Sequence, residues 1–371
     1  MSKTFRFLLV LLFILITVSV VFSSSITTIK AERIAKKFLQ MRMLGPEGGV
    51  YTGSRMSKIF LIQSYNPSEF SASGYMSENI SLLMNYAAFS GDRELFDRQL
   101  NFLLKSLQSP YGVFSWKISH DGAQYSESSS SGDDLRTISA LLAAYRKWNR
   151  KSYLKYALQI ADAVRKNEVE NNELREYFSW RKLGEPEKAQ KVKLAWLDVP
   201  TMDELSEYDS SWTSIADRAF ETLKGGKLPT GLFYGGYDYT SSSYQNETQP
   251  TYQQLYCGIC ITGRDYESAH KMLEFFKTAF ALDNTIYDEY SAKDGGVSAK
   301  LQSPRTYAVA ARLAYRVGDI AFGVQMIAKL RAYQELNPAS PLYGSFHDEG
   351  LMAADNIEAL LALYEHNSRG R

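Results

Sequence analysis

The sequence has few cysteine and histidine side chains, the commonest ligands of transition metals. Its 371 residues include only two cysteines, Cys257 and Cys260, and four scattered histidines. A Cys-x-x-Cys pair can act in redox chemistry or form half of a zinc site, but no second such pair accompanies it. The two cysteines stand at helical spacing on an apolar stretch, which favours two small buried side chains. We assign them no chemistry and expect neither a metal nor an organic cofactor.

An excess of charge of one sign is also absent. Lys and Arg total 42 and Asp and Glu total 41, so the formal net charge is +1. Such a chain lacks the long-range field that attracts nucleic acid or anionic lipid. We therefore expect no nucleic-acid partner. The interior also lacks a linker rich in Pro, Ser or charge, which favours one folded domain.

A single long apolar run stands at the N-terminus. Lys3 and Arg6 precede the apolar residues 7–22. The run is slightly long for a cleaved signal and short for a spanning helix, and neither an Ala-x-Ala site nor a cysteine for lipid attachment follows it closely. We expect residues 1–27 to be a signal or membrane anchor. Residues 28–371 are then exported, either released or held on the outer face of the cytoplasmic membrane.

The remaining chain alternates helical patterns with polar loops rich in Gly and aromatic residues, and strand-like alternation is sparse. Gly91-Asp92 and Gly318-Asp319 predict tight turns, because Gly can end one helix and Asp can cap the next. No fixed-period repeat is visible, so a closed ring of antiparallel helix hairpins is favoured over a stacked solenoid. The predicted helices are 28–43, 77–89, 92–107, 134–148, 152–165, 252–263, 265–281, 305–317, 320–336 and 352–364.

Three acidic segments stand out. Glu78 begins an apolar helix, where the helix dipole favours an acid, although burial there could raise its pKa as a proton donor to a glycosidic oxygen requires. Asp133 and Asp134 follow Ser and Gly ahead of another apolar helix, which is typical of an N-cap, and adjacent carboxylates could also hold sugar hydroxyls. Asp238 ends the aromatic, Gly-rich loop 231–238, and a lone loop Asp is usually a turn residue.

Taken together and in order, these segments resemble glycoside hydrolase family 8. The family's Ser-Glu-x5-Met pattern, its Leu-Phe-Ala-Trp and Asp-Gly pair, and its Ala-Ser-Asp-Gly-Asp sequence before a helix ending in Trp all have similar counterparts. The similar stretches are 77–84, 91–107, 112–116, 120–122 and 130–148. The resemblance covers about residues 70 to 170 well. In the remainder it is limited to the alternation of helical segments and loops. It implies an all-α fold, the (α/α)6 toroid of helix hairpins.

The resemblance implies that Glu78 is the general acid. Asp134 falls on the second acid of Ala-Ser-Asp-Gly-Asp, whereas Gly132 falls on the first, which positions the sugar; we expect Asp133 to substitute. The family's base lies in Tyr-Asp-x-x-Arg, and the corresponding residues here are Tyr252-Gln253-Gln254-Leu255-Tyr256. An amide cannot deprotonate water. The chain is therefore either inactive or uses another carboxylate.

Asp238 is the first candidate for that carboxylate, and Asp209, in Tyr-Asp-Ser-Ser-Trp, is the second. The mechanism expected is inverting endo-hydrolysis without a cofactor. Glu78 protonates the leaving oxygen while Asp238 takes a proton from water on the opposite face of the sugar. This requires carboxyl groups roughly 6.5 to 9.5 Å apart.

Aromatic residues are abundant, with 25 Tyr, 19 Phe and 5 Trp. Flat rings in loops suit sugar faces, although they can also pack the ends of helices. We expect Tyr75, Trp116, Tyr234 and Tyr237, together with Trp180, to stack on the substrate.

The resemblance implies a polysaccharide substrate, because family members cut β-1,4-linked glucan, chitosan or xylan and some accompany synthesis of a secreted exopolysaccharide. The anchor and the departures from the family pattern favour a self-made biofilm matrix polysaccharide, and we expect a monomer. One alternative is a non-catalytic polysaccharide-binding or assembly protein on the same fold. Another is a lyase, which would need a Tyr or His base beside an acidic sugar.

Overall fold

The computed structural model describes residues 27–54, 73–180, 184–348 and 350–369. The predicted N-terminal signal or anchor lies outside the described residues, apart from position 27. No helix within these ranges is long and apolar enough to cross a membrane.

Twelve helices account for most of the described residues. They are α1 (27–38), α2 (Ser77–Ser90), α3 (Arg93–Phe102), α4 (Ser131–Trp148), α5 (Lys151–Asn167), α6 (Val199–Ser206), α7 (Ser211–Gly225), α8 (Thr251–Ile261), α9 (Tyr266–Asp283), α10 (Pro304–Arg316), α11 (Ile320–Arg331) and α12 (Ala353–Ser368). Two π-helical turns, Leu39–Met43 and Leu103–Leu107, continue α1 and α3.

The even-numbered helices form an inner ring in the order α2, α4, α6, α8, α10, α12, and α12 packs back on α2. Each inner helix pairs with an odd-numbered outer helix. The helices of the ring are buried on several sides, as in α12, where residues 353–363 are all buried. An outer helix such as α5 buries a single stripe that includes Tyr153, Ala157 and Val164, which is the pattern of an amphipathic surface helix. The predicted all-α toroid, the (α/α)6 barrel, is confirmed.

The two ends of the chain close this ring. Glu32 of α1 accepts hydrogen bonds from Tyr86 Oη of α2 (3.0 Å) and from Asn367 Nδ2 of α12 (2.7 Å). The side chain of Gln334 donates to the carbonyl of Ala31 (2.9 Å). The first helix of the fold is therefore the outer partner of the last.

The connections divide into two kinds, one at each end of the barrel. Chain segments that leave an inner helix are short and form what we call the turn end. There Gly91 and Gly318 adopt a left-handed backbone (φ 80° and 79°), and Asp92, Asp265 and Asp319 cap the outer helices by accepting backbone N–H groups. Segments that leave an outer helix are long and form the loop end. Their described parts are 44–54, 73–76, 108–130, 168–180, 184–198, 226–250, 284–303, 332–348 and 350–352.

The loop end carries the short strands, all of which pair antiparallel. The sheet that matters for the site is β8-β9-β10, formed by Lys191–Lys193, Gly236–Asp238 and Ser243–Gln245, in which Lys193 pairs with Gly236 and Lys191 with Asp238. The others are β1 (Gly53–Ser54), β2 (Tyr75–Met76), β3 (Lys117–Ile118), β4 (Val169–Glu170), β5 (Glu173–Leu174), β6 (Phe178–Ser179), β7 (Glu187–Lys188), β11 (Thr248–Pro250), β12 (Glu289–Ser291), β13 (Val297–Ala299) and β14 (Leu351–Met352).

Most predicted helices occur within a few residues of the predicted bounds, with two differences. The hairpin α6–α7 was not predicted, because α6 has only eight residues and carries Pro200 in its first turn. Helix α4 begins at Ser131 rather than Asp134, so both aspartates lie within its first turn. Cys257 and Cys260 are buried, free thiols on α8, and burial raises the pKa of each.

Candidate active site

The N-terminal parts of four inner helices, α2, α4, α8 and α10, border a cavity at the loop end. It encloses about 460 Å³ and is also lined by the segments 108–130 and 168–198. Five aromatic side chains line it: Trp116, Tyr177, Trp196, Tyr252 and Tyr256. Six charged side chains line it as well: Glu78, Asp133, Glu176, Arg136, Lys193 and Arg305. A cavity lined by both aromatic and charged side chains is typical of a carbohydrate site.

Glu78 is the second residue of α2, and its side chain is 24% exposed to this cavity. The segment before it is fixed, since the backbone N–H of Ser77 donates to the carbonyl of Trp116 (3.1 Å). Arg305 Nη2 donates to Glu78 Oε1 at 2.5 Å. Burial raises the pKa of Glu78, but the charges of Arg305 and Arg136 oppose it and leave that pKa below its ordinary value. The expectation of a pKa raised by burial is therefore wrong for the free protein.

Arg305 is itself held by a buried network beneath the cavity. Its guanidinium lies over the Tyr252 ring, with Cζ 3.8 Å from the ring centroid. Glu358 Oε1 is 4.0 Å away, and Glu358 accepts hydrogen bonds from Arg312 Nη1 (2.6 Å) and from the Tyr256 hydroxyl. Glu358 is fully buried, so this network joins α8, α10 and α12 directly below the acid.

Asp133 joins α4 to α2 in the wall of the cavity. Its Oδ2 accepts from Ser77 Oγ (2.6 Å) and its Oδ1 accepts from Arg136 Nη1 (2.9 Å). Burial raises the pKa of Asp133, and the charge of Arg136 counteracts this. Because both carboxyl oxygens are occupied, Asp133 acts in this state as a brace between the two helices.

Gly132 stands where the resemblance places the family's sugar-positioning Asp. A Cβ atom at this position would lie 2.6 Å from Trp196 Cγ and 2.9 Å from Trp196 Cδ2. The indole therefore occupies the space that a side chain at position 132 would need. Lys193 Nζ lies 4.3 Å from the centroid of the Trp196 ring, so the ring is held from a second side.

Asp134 is not brought into the cavity. It is completely buried, its Oδ1 accepts from the backbone N–H of Phe114 (3.3 Å), and burial together with the Glu168 charge raises its pKa well above the ordinary value. Asp134 Oδ2 and Glu168 Oε2 both lack a hydrogen-bond donor. A proton shared between these two carboxyl groups accounts for both observations. The predicted contact of Asp134 with a sugar is thus not possible in this structure.

The two predicted base candidates also lie away from Glu78. Asp238 pairs across the sheet with Lys191, the first residue of β8. The residue of β8 that lines the cavity is Lys193, at the other end of the strand. Asp238 Oδ1 accepts from the backbone N–H groups of Thr240 (2.9 Å) and Ser241 (3.0 Å), which lower its pKa. This is the arrangement of a turn residue, and Asp238 is not among the described residues that line the cavity.

Asp209 lies at the turn end, between α6 and α7, where it accepts from the backbone N–H of Ser211 (3.0 Å). The cavity is at the opposite end of the barrel. Its location excludes Asp209 from the chemistry of Glu78.

Among the predicted stacking residues, only Trp116 lines the cavity. Tyr75 is buried and stacks on Tyr51, with ring centroids 4.9 Å apart. Tyr234 and Tyr237 pack on Tyr244, at 5.6 and 4.8 Å. Trp180 packs near Phe178 at 6.0 Å. Each of these rings packs against another aromatic side chain at the loop end rather than lining the cavity.

Several lining residues were not predicted. Trp196 lies in Leu-Ala-Trp and Glu176 in Arg-Glu-Tyr, and neither sequence differs from ordinary packing. Arg305 did carry a signal, because a basic residue in the first turn of a helix opposes the helix dipole and needs an acidic partner. That partner, Glu78, is 227 residues away in sequence.

Comparison with known proteins adds to this geometry. Residues 67–232 match the sequence model of Glycosyl hydrolases family 8. A novel α-amylase from Clostridium perfringens is 28% identical and has a TM-score of 0.78, covering 91% of this chain and 98% of that one. Endoglucanase Cel10, a family 8 glycosyl hydrolase from Klebsiella pneumoniae, is 13% identical with a TM-score of 0.63, covering 90% and 99%. YdaJ of Bacillus subtilis, a protein named as a lipoprotein, is 22% identical over 290 residues, 78% of each chain.

These similarities confirm the resemblance to glycoside hydrolase family 8 that the motifs predicted. The chain has the barrel fold of that family. The matched stretch contains Glu78, Asp133, Glu176 and Trp196, whereas Arg305 lies beyond it.

Proposed function

We propose that this protein is an endo-acting glycoside hydrolase in which Glu78 is the general acid. The observation that carries the proposal is the position of Glu78, a partly accessible carboxylate at the first turn of an inner helix within the family 8 match. A carboxyl group there can reach a glycosidic oxygen in the cavity and donate its proton. Arg305 keeps it ionised in the free protein, so we expect activity on the acid side of neutrality.

The proposed reaction inverts the anomeric centre. Glu78 protonates the leaving oxygen while a second carboxylate removes a proton from the attacking water. Gln253, at the family's base position, lines the cavity but cannot accept that proton. Asp238 is the base expected from the sequence, but its position in a turn does not favour this role. The variant Asp238→Asn is therefore included in the tests below.

Sugar binding is assigned to the aromatic wall. Trp116, Tyr177, Trp196 and Tyr252 present ring surface to the cavity, and the polar lining supplies partners for hydroxyl groups. These rings come from three separate parts of the chain, the segments 108–130 and 168–198 and helix α8. An extended chain of sugar units, rather than a single sugar, fits such a distribution.

The proposed substrate is a β-linked matrix exopolysaccharide outside the cytoplasmic membrane. The N-terminal apolar run supports export, and so does the similarity to a protein named as a lipoprotein. An α-linked glucan is the second candidate. It is favoured by the 28% identity, over nearly the whole chain, to a protein described as an α-amylase.

The test uses the full-length protein with purified exopolysaccharide, amylose, carboxymethyl cellulose, chitosan and xylan. Release of reducing ends identifies the substrate, the fall in polymer length shows endo action, and proton NMR of the first product gives its anomeric configuration. The variant Glu78→Gln should lose about 10³-fold in turnover while still binding the polymer. Glu94→Gln, an exposed first-turn glutamate of α3, is the matched control.

Three results would contradict the proposal. Wild-type turnover in Glu78→Gln would remove Glu78 from the role of acid. Binding without cleavage by the wild type would identify a polysaccharide-binding protein. Ultraviolet absorbance from unsaturated product ends would identify a lyase.

A further inference from the structure

Among the described residues, three carboxylates line the cavity, and their surroundings differ. Glu78 is paired with Arg305 and is the proposed acid. Asp133 accepts one hydrogen bond on each oxygen, from Ser77 and from Arg136, so fewer of its lone pairs are open to a water. Glu176 is the third.

The carboxylate of Glu176 has room for a water molecule. Its nearest charged partner is Lys193 Nζ, 3.7 Å from Oε1, which is longer than a hydrogen bond. Its side chain is 14% exposed, and this exposed part faces the cavity. Among the described residues it has no side-chain hydrogen bond. A carboxylate with a nearby cation and open lone pairs can accept a proton from water.

The backbone of Glu176 is held firmly. Its N–H donates to the carbonyl of Lys191 (2.8 Å), and its carbonyl accepts from both the N–H and the Oγ of Ser131 (3.1 Å each). Glu176 is therefore fastened to the first turn of α4 and to strand β8. Such a fixed position is what a group that must orient a water needs.

Glu176 and Glu78 line the same cavity and are held by different elements. Glu78 is bonded by Arg305 of α10, whereas the backbone of Glu176 is bonded to Ser131 of α4. An inverting pair holds a water between carboxyl groups roughly 6.5 to 9.5 Å apart. Glu78 and Glu176 both open into this one cavity.

We infer that Glu176 is the catalytic base, the role that the amide of Gln253 cannot fill. This inference rests on the proposed function. Glu176 removes a proton from a water whose oxygen bonds to the anomeric carbon. The bond from that carbon to the leaving oxygen breaks as Glu78 gives its proton to this oxygen. Glu176 ends protonated and Glu78 ionised, and exchange with solvent restores both.

The test measures turnover of full-length Glu176→Gln and Glu176→Ala on the polymer that the wild type cleaves. Both variants should lose at least 100-fold in kcat, with KM changed by less than about threefold. Sodium azide, a nucleophile that needs no base, should restore part of the turnover of Glu176→Ala. It should give a glycosyl azide whose anomeric configuration is opposite to that of the cleaved bond.

Two controls separate other roles. Glu185→Gln changes an exposed glutamate of the same loop-end segment and should match the wild type. Lys193→Met removes the cation beside Glu176. If Glu176 served only to place Lys193, this variant would reproduce the loss seen in Glu176→Gln and the glutamate variants would not respond to azide. An unchanged unfolding midpoint for each variant shows that the fold is intact.

The outcomes are decisive in each direction. Wild-type turnover in the Glu176 variants, or a loss that azide does not restore, overturns the assignment. Azide rescue of Asp238→Asn instead would make Asp238 the base. If Glu78→Gln is inactive while Glu176→Gln is active, only this inference fails. A wild type that cleaves no polymer overturns the proposed function and this inference together.

Discussion

The two ends of the barrel are stabilised by different physics. At the turn end, short connections and capping aspartates such as Asp92 and Asp319 satisfy the starts of the outer helices with contacts three residues away. Beneath the loop end, the packing of α10 against α12 brings together charges that are far apart in sequence, and Arg305, Arg312 and Glu358 are buried between these helices. The comparison shows that local interactions hold one end, whereas the other depends on the complete ring. The cavity lies at the end whose structure depends on closure of the helical ring.

The largest effect is expected from the buried network beneath the cavity. Glu358→Ala leaves the 7%-exposed Arg312 without its buried partner and removes the acceptor of the Tyr256 hydroxyl. Loss of one member of a buried ion pair costs about 3 to 5 kcal/mol in the free energy of unfolding. Urea denaturation measures it. The control Glu365→Ala, whose partly exposed carboxylate bonds the same arginine, should cost less. A loss below about 1 kcal/mol for Glu358→Ala would show that the loop end does not depend on this network.

The next effect concerns the contact between α4 and Trp196. Gly132→Ala adds a Cβ atom whose ideal position is 2.6 Å from Trp196 Cγ, so the ring must move. Overpacking of this kind costs about 1 to 3 kcal/mol, and displacement of a sugar-binding ring should raise KM more than it lowers kcat. Gly263→Ala, which meets no atom within 4 Å at the turn end, is the control. Unchanged stability and KM in Gly132→Ala would remove Trp196 from the binding surface.

A smaller effect is expected in the pH dependence of turnover. Arg305 lowers the pKa of Glu78, so replacing Arg305 by Met should raise that pKa and keep the acid protonated to higher pH. The limb on which kcat/KM falls with rising pH should therefore move to higher pH. Arg305→Lys retains the positive charge and should move the limb less. A limb that stays in place in Arg305→Met would mean that it does not report Glu78.

The smallest effect is expected at the turn end. Asp319→Ala removes the cap that accepts the backbone N–H of Phe322 (3.0 Å) and should cost about 1 kcal/mol in unfolding free energy. Turnover should not change, because the cap is at the end of the barrel away from the cavity. Asp319→Asn can still cap the helix while losing the charge that pairs with Lys277 (2.8 Å), so it should recover most of the stability. A loss of turnover in Asp319→Ala would show that the two ends are coupled.

Much of the fold could be predicted from local patterns. The stripe of α5 and the Gly-Asp turns at Gly91 and Gly318 depend on residues a few positions apart, so their signals were present in the sequence. Helix α6 was not predicted, since eight residues with an early proline give too weak a pattern. The lack of a local signal also explains why Asp134 was assigned to the site. Its helix starts three residues earlier than predicted, and its buried contact with Glu168 has no local sign.

The helical hairpins, the turn end and the place of Glu78 at the start of an apolar helix follow from helical periodicity, capping and an ordered set of motifs, all of which are local. The side chains that meet Glu78 follow from the closed ring instead. Arg305, Trp196 and Glu176 come from three other segments and converge because the ring closes. The lowered pKa of Glu78 is a consequence of that closure, since the charges that lower it come from α10 and α4. Electrostatic interactions depend on distance in space rather than along the chain, which is why the pairing of these residues with Glu78 was not visible in the sequence.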